Sequence, residues 1–137
     1  MMFKMDHVAI SVEKLEETID FYKLFGFEVI NQYEADDKSY RISMLTNNEG
    51  KYIEVFHYTN HIKSPDFTAT TATDLPVIGT KHMAFRVKDI DEAVKFAVRN
   101  GIARNLKVNT GRLGRRYFFL KDPNGILVEI IEESIAK

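Results

Sequence analysis

The sequence contains no cysteine and no tryptophan among its 137 residues. Without thiols the chain can form no disulfide and offers no thiolate ligand, so any metal site must use nitrogen and oxygen donors. The sequence also has no large excess of positive or negative charge, because its 19 Lys and Arg residues nearly balance its 20 Asp and Glu residues. A formal net charge of −1 provides no attraction for nucleic acid or for an anionic membrane.

Long apolar runs are absent as well. No stretch approaches the roughly 18 apolar residues of a membrane span, and the opening MMFKMDHVAI lacks the features of a cleaved signal peptide. We therefore expect a cytoplasmic protein that binds neither membranes nor nucleic acids. The length and an apolar content of 45% favour one domain with a substantial hydrophobic core.

What the sequence does contain is an internal repeat with a spacing of 75 residues. His7 aligns with His82 and Glu54 with Glu129, and no gap is needed between these two pairs. Identical residues also align at Ala9 and Ala84, Val12 and Val87, Glu17 and Glu92, Phe21 and Phe96, Gly26 and Gly101, Arg41 and Arg116, and Gly50 and Gly125. A single register over about fifty residues favours two copies of one module.

Each copy predicts the element order βαβββ. In the first copy, alternation predicts strands at residues 6–12, 28–33, 40–46 and 51–58, with a helix from Leu15 to the glycine stop at Gly26. The second copy predicts strands at residues 81–87, 103–109, 116–120 and 126–132 and a helix at residues 90–100. The predicted class is α+β, with modules at residues 1–58 and 80–133 and a connector at 59–79, together forming one domain.

Two histidines and two glutamates occupy equivalent places in these copies. His7 and His82 lie in the first predicted strand of each copy, and Glu54 and Glu129 lie in the fourth, between apolar neighbours. A carboxylate among apolar residues is costly unless it is paired or binds a cation. If the copies pack about a pseudo-twofold axis, the four side chains meet and make a site for one divalent ion. Zn, Ni, Co, Mn and Fe all suit two imidazoles and two carboxylates. His57 and His61 have no counterpart in the repeat and are interpreted as surface residues.

Four stretches of the chain resemble the vicinal oxygen chelate superfamily, also called the glyoxalase/bleomycin-resistance/dioxygenase proteins. They are DHVAI from residue 6, FYKLFGF from residue 21, HMAFRV from residue 82 and DPNGILVE from residue 122. The resemblance extends over essentially the whole chain. It implies that the paired modules curl into a cup around the metal, often in a homodimer.

The ligand pattern His–Glu–His–Glu is similar to that of glyoxalase I. This resemblance implies a metal-dependent lyase or isomerase that rearranges a small, hemithioacetal-like substrate carrying α-hydroxy or α-keto oxygens. The metal binds both substrate oxygens, and a glutamate moves a proton between adjacent carbons through a metal-bound enediolate. Glu129 is the first candidate for this base and Glu54 is the second.

Two positions depart from the glyoxalase I pattern. Glyoxalase I proteins usually have an arginine at the position of Ser11 and an asparagine at that of Tyr58, so glutathione is doubtful as the thiol. Arg86 lies four residues after His82 and is a candidate for holding an anionic group, although it fits a solvent-facing strand position equally well. Phe56 shares a strand face with Glu54 and is a candidate lining residue. Arg116 closes a basic loop at 110–116 that is either a lid over an anionic substrate or a solvated hairpin loop.

Other activities found in the same superfamily are alternative predictions for this chain. Acyl-thioester epimerases carry out a related proton transfer, but these proteins usually have glutamine where this chain has Glu54. Ring-cleaving dioxygenases and thiol transferases use two histidines and one carboxylate, so a fourth ligand counts against them. Drug- or metabolite-binding members act without a metal and generally lack the ligand residues.

Overall fold

The computed structural model describes residues 1–134, and these form two compact units, residues 1–63 and residues 64–134. The division falls inside the predicted connector at 59–79. Each unit has its own four-stranded sheet, and helices are few. The α+β class and the repeated βαβββ order are confirmed.

The first unit contains one helix and four strands. They are β1 (His7–Ser11), α1 (Leu15–Lys23), β2 (Glu28–Glu34), β3 (Tyr40–Thr46) and β4 (Tyr52–Tyr58). The sheet order is β1-β4-β3-β2, so the first and last strands of the module lie side by side and run parallel. The three hairpin-connected strands follow as an antiparallel meander.

The second unit repeats this arrangement after a helical connector. A 3-10 turn (Asp66–Ala69) and α2 (Thr71–Asp74) precede β5 (Met83–Val87), α3 (Ile90–Arg99), β6 (Asn109–Thr110), β7 (Arg116–Lys121) and β8 (Leu127–Glu132). The sheet order is β5-β8-β7-β6, with β5 and β8 parallel.

The strand predicted at residues 103–109 is wrong in extent. Only Asn109 and Thr110 pair with the neighbouring strand, opposite Tyr117 and Arg116. The residues between α3 and β6 are mostly irregular, and Asn105 adopts a positive φ of 53° that a strand does not allow. The residues before Asn109 have no ladder partner in β7, so the strand is reduced to two residues.

Local sequence accounts for both long helices. Leu15, Ile19 and Tyr22 recur at helical spacing and form the buried side of α1. Helix α3 begins at Asp89, whose side chain accepts hydrogen bonds from the backbone N–H groups of Asp91 and Glu92. Glycines with positive φ follow both helices, at Gly26 and Gly101.

Strand alternation divides each sheet into a core face and an opposite face. In β4, Ile53 and Val55 are buried while Glu54 between them is only half-buried. In β8, Val128 and Ile130 are buried and flank Glu129 in the same way. The ligand candidates therefore lie on the face that does not form the core of their own unit. Among residues 1–134, no helix is long and apolar enough to cross a membrane.

Candidate functional site

His7 and Glu54 form a close pair on the first sheet. Parallel pairing sets Ala9 beside Glu54, so His7, two residues earlier, presents its ring on the same face. Nε2 of His7 lies 3.1 Å from Oε2 of Glu54. Nδ1 of His7 lies 2.8 Å from a carboxylate oxygen of Asp6, so the imidazole is positioned between two carboxylates.

His82 and Glu129 form the equivalent pair on the second sheet. Ala84 pairs with Glu129 as Ala9 pairs with Glu54, and Nε2 of His82 lies 3.0 Å from Oε2 of Glu129. The edge of the Phe119 ring also packs against the imidazole, with ring centres 4.8 Å apart. This pair is the more deeply placed, because its side chains are 19% and 15% exposed against 37% and 21% in the first pair.

The charge state of His7 follows from its two neighbours. The hydrogen bond to Asp6 raises the pKa of the imidazole above its usual value, and the negative charge of Glu54 adds to the rise. If Nδ1–H donates to Asp6, a neutral ring presents a lone pair at Nε2, directly toward the Glu54 carboxylate. Two acceptors 3.1 Å apart repel each other unless a proton or a metal cation lies between them. A shared proton or a bound cation at this position therefore stabilises the pair.

His82 lacks the support that Asp6 gives to His7. Its Nδ1 is buried and has no hydrogen-bond partner among residues 1–134. Lys81 occupies the position equivalent to Asp6, and its ammonium instead donates to the backbone carbonyl of Asp74 at 2.8 Å. Nε2 of His82 lies 3.0 Å from Oε2 of Glu129, so Nδ1 is the ring nitrogen that is left without a partner among these residues.

Both pairs have the spacing of neighbouring ligands around a metal. Two donors at about 2.1 Å from an ion and at right angles to each other are separated by about 3 Å. The nitrogen–oxygen distances of 3.1 Å and 3.0 Å match this value, although a hydrogen bond gives the same spacing. The Asp6–His7 contact is also the usual orienting contact of a metal-bound histidine. Neither pair gains a third candidate ligand: no group of three or more His, Asp or Glu suited to a metal is found among residues 1–134.

Four of the predicted substrate-binding residues lie on the same faces as the glutamates. Ser11 pairs with Phe56 at the end of β1, and Phe56 is half-buried next to Glu54 in strand alternation. Tyr58 stacks on Tyr40 with ring centres 5.3 Å apart. Arg86 is 64% exposed and lies 3.7 Å from a carboxylate oxygen of Glu133.

Arg116 lies elsewhere. In β7 the residues that share the face of Glu129 are Tyr117 and Phe119, because they pair with Ile131 and Glu129. Arg116 is three residues from Phe119, so its side chain lies on the opposite face of the sheet, the face next to α3. There it forms hydrogen bonds of 2.9 Å and 2.7 Å to Glu132. We therefore leave Arg116 out of the candidate site. The preceding loop is a hairpin turn, in which Gly111 N–H donates to the carbonyl of Arg115.

The two remaining histidines are not equivalent to each other. His61 is exposed and lies 3.5 Å from Glu13. His57 is half-buried, and its Nδ1 lies 3.1 Å from the carbonyl oxygen of Val12, so its interpretation as a plain surface residue is wrong. Parallel pairing of β1 and β4 brings that carbonyl within reach of residue 57.

An open depression of about 190 Å³ adjoins Glu54 on the surface of the first sheet, and sequence reasoning missed it. It is lined by Asn31, Gln32, Tyr33, Ile42, Met44 and Glu54. Asn31 and Tyr33 reach this face because the pairing of β2 with β3 shifts by one residue between Val29 and Asn31. Simple alternation along β2 gives no signal for such a bulge.

Comparisons with known proteins agree with this architecture. The profile of the Glyoxalase/Bleomycin resistance protein/Dioxygenase superfamily matches residues 4–130. A glyoxalase family protein from Enterococcus faecalis has a similar structure, with a TM-score of 0.77 and 26% identity over 94% of this chain and 97% of that one.

Two relatives bear the names of different enzymes. The mitochondrial methylmalonyl-CoA epimerase of Dictyostelium discoideum is 32% identical over 95% of this chain and 78% of its own length. Glyoxalase I of Saccharomyces cerevisiae is 21% identical over 95% of this chain, which spans only 45% of that protein.

Proposed function

From the premise that this chain belongs to the glyoxalase/bleomycin resistance protein/dioxygenase superfamily, we propose that it is a metal-dependent enzyme that moves a proton on a carbon next to a carbonyl group. The proposed ligands of one divalent ion are His7, Glu54, His82 and Glu129. The observation that carries this proposal is the repeated His–Glu pair. Each pair lies on equivalent strands of its own unit, at 3.1 Å and 3.0 Å.

One bound metal per chain follows from the repeat. Each chain contributes one His–Glu pair from each unit, and two pairs complete a set of four ligands. The ratio is the same whether both pairs come from one chain or from two. We also propose a homodimer, as the resemblance implies, and light scattering of the purified protein measures its mass directly.

Each residue of the proposed site has its own role in the proton transfer. When bound, the divalent ion supplies Lewis-acid polarisation of the carbonyl and stabilises the negative charge that develops on its oxygen. Glu129 is proposed as the base that takes the proton from the adjacent carbon, and Glu54 as the second carboxylate. The contact of Asp6 with Nδ1 of His7 holds the imidazole in one orientation, so that Nε2 on the side of Glu54 would be available as a ligand.

Two reactions share this proton transfer. In the leading proposal, a glyoxalase I-like rearrangement, the base returns the proton to the neighbouring carbon of a hemithioacetal-like substrate. In the second, epimerisation of an acyl thioester, the proton returns to the opposite face of the same carbon. The epimerase relative at 32% identity favours the second reaction, whereas Glu54, where such epimerases usually have glutamine, favours the first.

Metal analysis tests the ligand proposal. Protein purified without chelator is expected to contain about one divalent metal per chain at about 2.0–2.2 Å from its ligands. His7→Ala and His82→Ala should each lose most of this metal, while the matched control His61→Ala should keep it. Wild-type protein that stays metal-free after incubation with Zn, Ni, Co, Mn and Fe salts would contradict the proposal.

An exchange assay then separates the two reactions. In deuterated water, the metal-loaded protein is incubated with hemithioacetals of several thiols and, in parallel, with a chiral acyl-CoA. Mass and NMR spectra distinguish a rearranged product from an epimer. Metal-loaded protein that exchanges no α-proton in either substrate class would rule out the proton-transfer function while leaving the metal site intact.

A further inference from the structure

A row of three rings ends at His82 on the second sheet. Phe119 pairs with Glu129 across β7 and β8 and lies on the same sheet face as that glutamate. Its ring stands at 86° to the imidazole of His82, with the ring centres 4.8 Å apart. The ring of Tyr117, two residues earlier on the same face, stands at 83° to that of Phe119 at 5.8 Å. The imidazole is therefore the last member of a continuous series of perpendicular contacts.

The hairpin loop before β7 supports the other end of this row. A β-carbon added to Gly111 would lie 3.6 Å from a ring carbon of Tyr117, so the backbone of the glycine packs against the ring. The N–H group of Gly111 donates to the carbonyl of Arg115, which closes the turn. Tyr117 is thus held between the loop on one side and Phe119 on the other.

In the first unit the repeat places aliphatic side chains where the second unit has these two rings. The equivalent residues, 75 positions earlier, are Met44 and Ile42. The histidine of the first unit is oriented by a polar contact instead, since Nδ1 of His7 lies 2.8 Å from a carboxylate oxygen of Asp6. Each unit therefore has its own means of restraining its histidine.

The second unit does not use a carboxylate for this purpose. Lys81 occupies the position equivalent to Asp6, and its ammonium donates to the backbone carbonyl of Asp74 at 2.8 Å. In the part of the chain that the structure describes, the buried Nδ1 of His82 has no hydrogen-bond partner. The polar contact of the ring is that of Nε2 with Oε2 of Glu129, at 3.0 Å. One polar contact leaves the imidazole free to rotate about the contact direction, so packing has to supply the second restraint.

We propose that Phe119, supported by Tyr117, is the positioning residue of His82 and keeps its Nε2 on the side of Glu129, available to the proposed metal ion. This inference rests on the proposed function, because it takes His82 as a ligand. Perpendicular packing restrains the imidazole, since aromatic rings at this separation favour an edge-to-face arrangement. The His82 side chain is also 19% exposed against 37% for that of His7, so packing acts on it more strongly.

Removing the Phe119 ring tests the proposal. Phe119→Met introduces the side chain of the equivalent position, and it should weaken Co²⁺ binding about threefold to tenfold in competitive chelator titrations. It should also change the visible absorption spectrum of the Co²⁺-loaded protein, whereas Phe119→Tyr keeps the ring and should retain the wild-type Kd and spectrum. Phe85→Met is the matched control, because Phe85 pairs with the core residue Ile130 and lies on the opposite face of the same sheet. This control should lower Tm and leave the Kd for Co²⁺ unchanged.

NMR of the metal-free protein separates failure of this proposal from failure of the proposed function. Relaxation of the ring C–H groups reports the mobility of each imidazole without any metal or turnover. The His82 ring should become more mobile in Phe119→Met, and the His7 ring should not. If wild-type protein binds no divalent metal, the ligand proposal is overturned, and greater mobility of the His82 ring still supports positioning by Phe119. Unchanged mobility of His82 in Phe119→Met, or a wild-type Kd for Co²⁺ in that variant, overturns the inference.

Discussion

The two His–Glu pairs have similar distances but different environments. His7 is positioned by Asp6 and remains partly exposed, whereas His82 packs against Phe119 and has a buried Nδ1 without a partner in residues 1–134. A second carboxylate raises the basicity of a ligating imidazole and fixes its tautomer. The first pair is therefore better prepared to bind a cation, and the second lies in the more apolar environment.

The two glutamates are expected to have different roles, with Glu129 as the proposed base and Glu54 as the second carboxylate. Glu129→Gln should lower the rate of proton transfer by about 10²-fold or more, because it removes the proposed general base and retains an oxygen ligand. Glu54→Gln should lower it less, and both variants should keep most of the metal. Single-turnover exchange rates together with metal content measure the two effects. Glu28→Gln, at an exposed strand end, serves as the control, and equal losses in both test variants would show that the roles are not divided in this way.

At the level of elements, an ion-pair network connects α3 to its sheet. Glu132 at the end of β8 accepts hydrogen bonds from Arg116 of β7 and from the backbone N–H of Ile90 at the start of α3. Arg116 also donates to Asp91 in the first turn of α3, at 3.1 Å. The conserved register of the repeat places Arg41 at the equivalent position of β3, where it lies 3.5 Å from Glu16 of α1. Each unit thus uses the same strand arginine to hold its helix.

The network predicts a pH-dependent contribution to stability. Hydrogen bonding from Arg116 holds the pKa of Glu132 below its usual value, so this carboxylate stabilises the folded state above the unfolded pKa of about 4.3. That contribution should disappear as the pH falls through the lower, folded-state pKa. Glu132→Gln should therefore lower Tm by a few degrees at pH 7, and its Tm should approach that of wild type below about pH 4. Calorimetric scans from pH 7 to pH 3 measure this difference, and a constant difference across the range would contradict the assignment.

At the level of the whole molecule, we expect selectivity for the thiol to depend on two positions outside the proposed metal ligands. Ser11 and Tyr58 stand where glyoxalase I proteins usually have arginine and asparagine, so the glutathione hemithioacetal of methylglyoxal should be a poor substrate. Loss of a hydrogen bond to a ligand carboxylate is worth about 1.5–3 kcal/mol, or one to two orders of magnitude in kcat/KM. The double variant Ser11→Arg with Tyr58→Asn should recover about tenfold or more, and Ser11→Ala with Tyr58→Phe should not. Wild-type turnover of this substrate on the order of 10⁶ M⁻¹s⁻¹ would contradict the prediction.

Much of this architecture was determined by the sequence itself. The repeat register fixed which residues correspond, and apolar alternation predicted seven of the eight strands within a few residues, since both signals are local and depend only on spacing. The same alternation placed Phe56 and Tyr58 on the strand face of Glu54, because parity within a strand follows directly from residue number. The pairing of His7 with Glu54 and of His82 with Glu129 inside each unit was not predicted, because it depends on the parallel ladder between the first and fourth strands of the module.

The tertiary structure decided what spacing cannot specify. The bulge at Ile30 reverses strand parity, and only the pairing of β2 with β3 reveals it. Arg116 had a charge suited to a ligand, but its partners Glu132 and Asp91 come from distant parts of the chain and hold it on the helix side. The strand predicted at residues 103–109 is reduced to Asn109 and Thr110, because only these two residues pair with β7. In each case the outcome depends on a contact between residues far apart in sequence, and a local pattern contains no information about that contact.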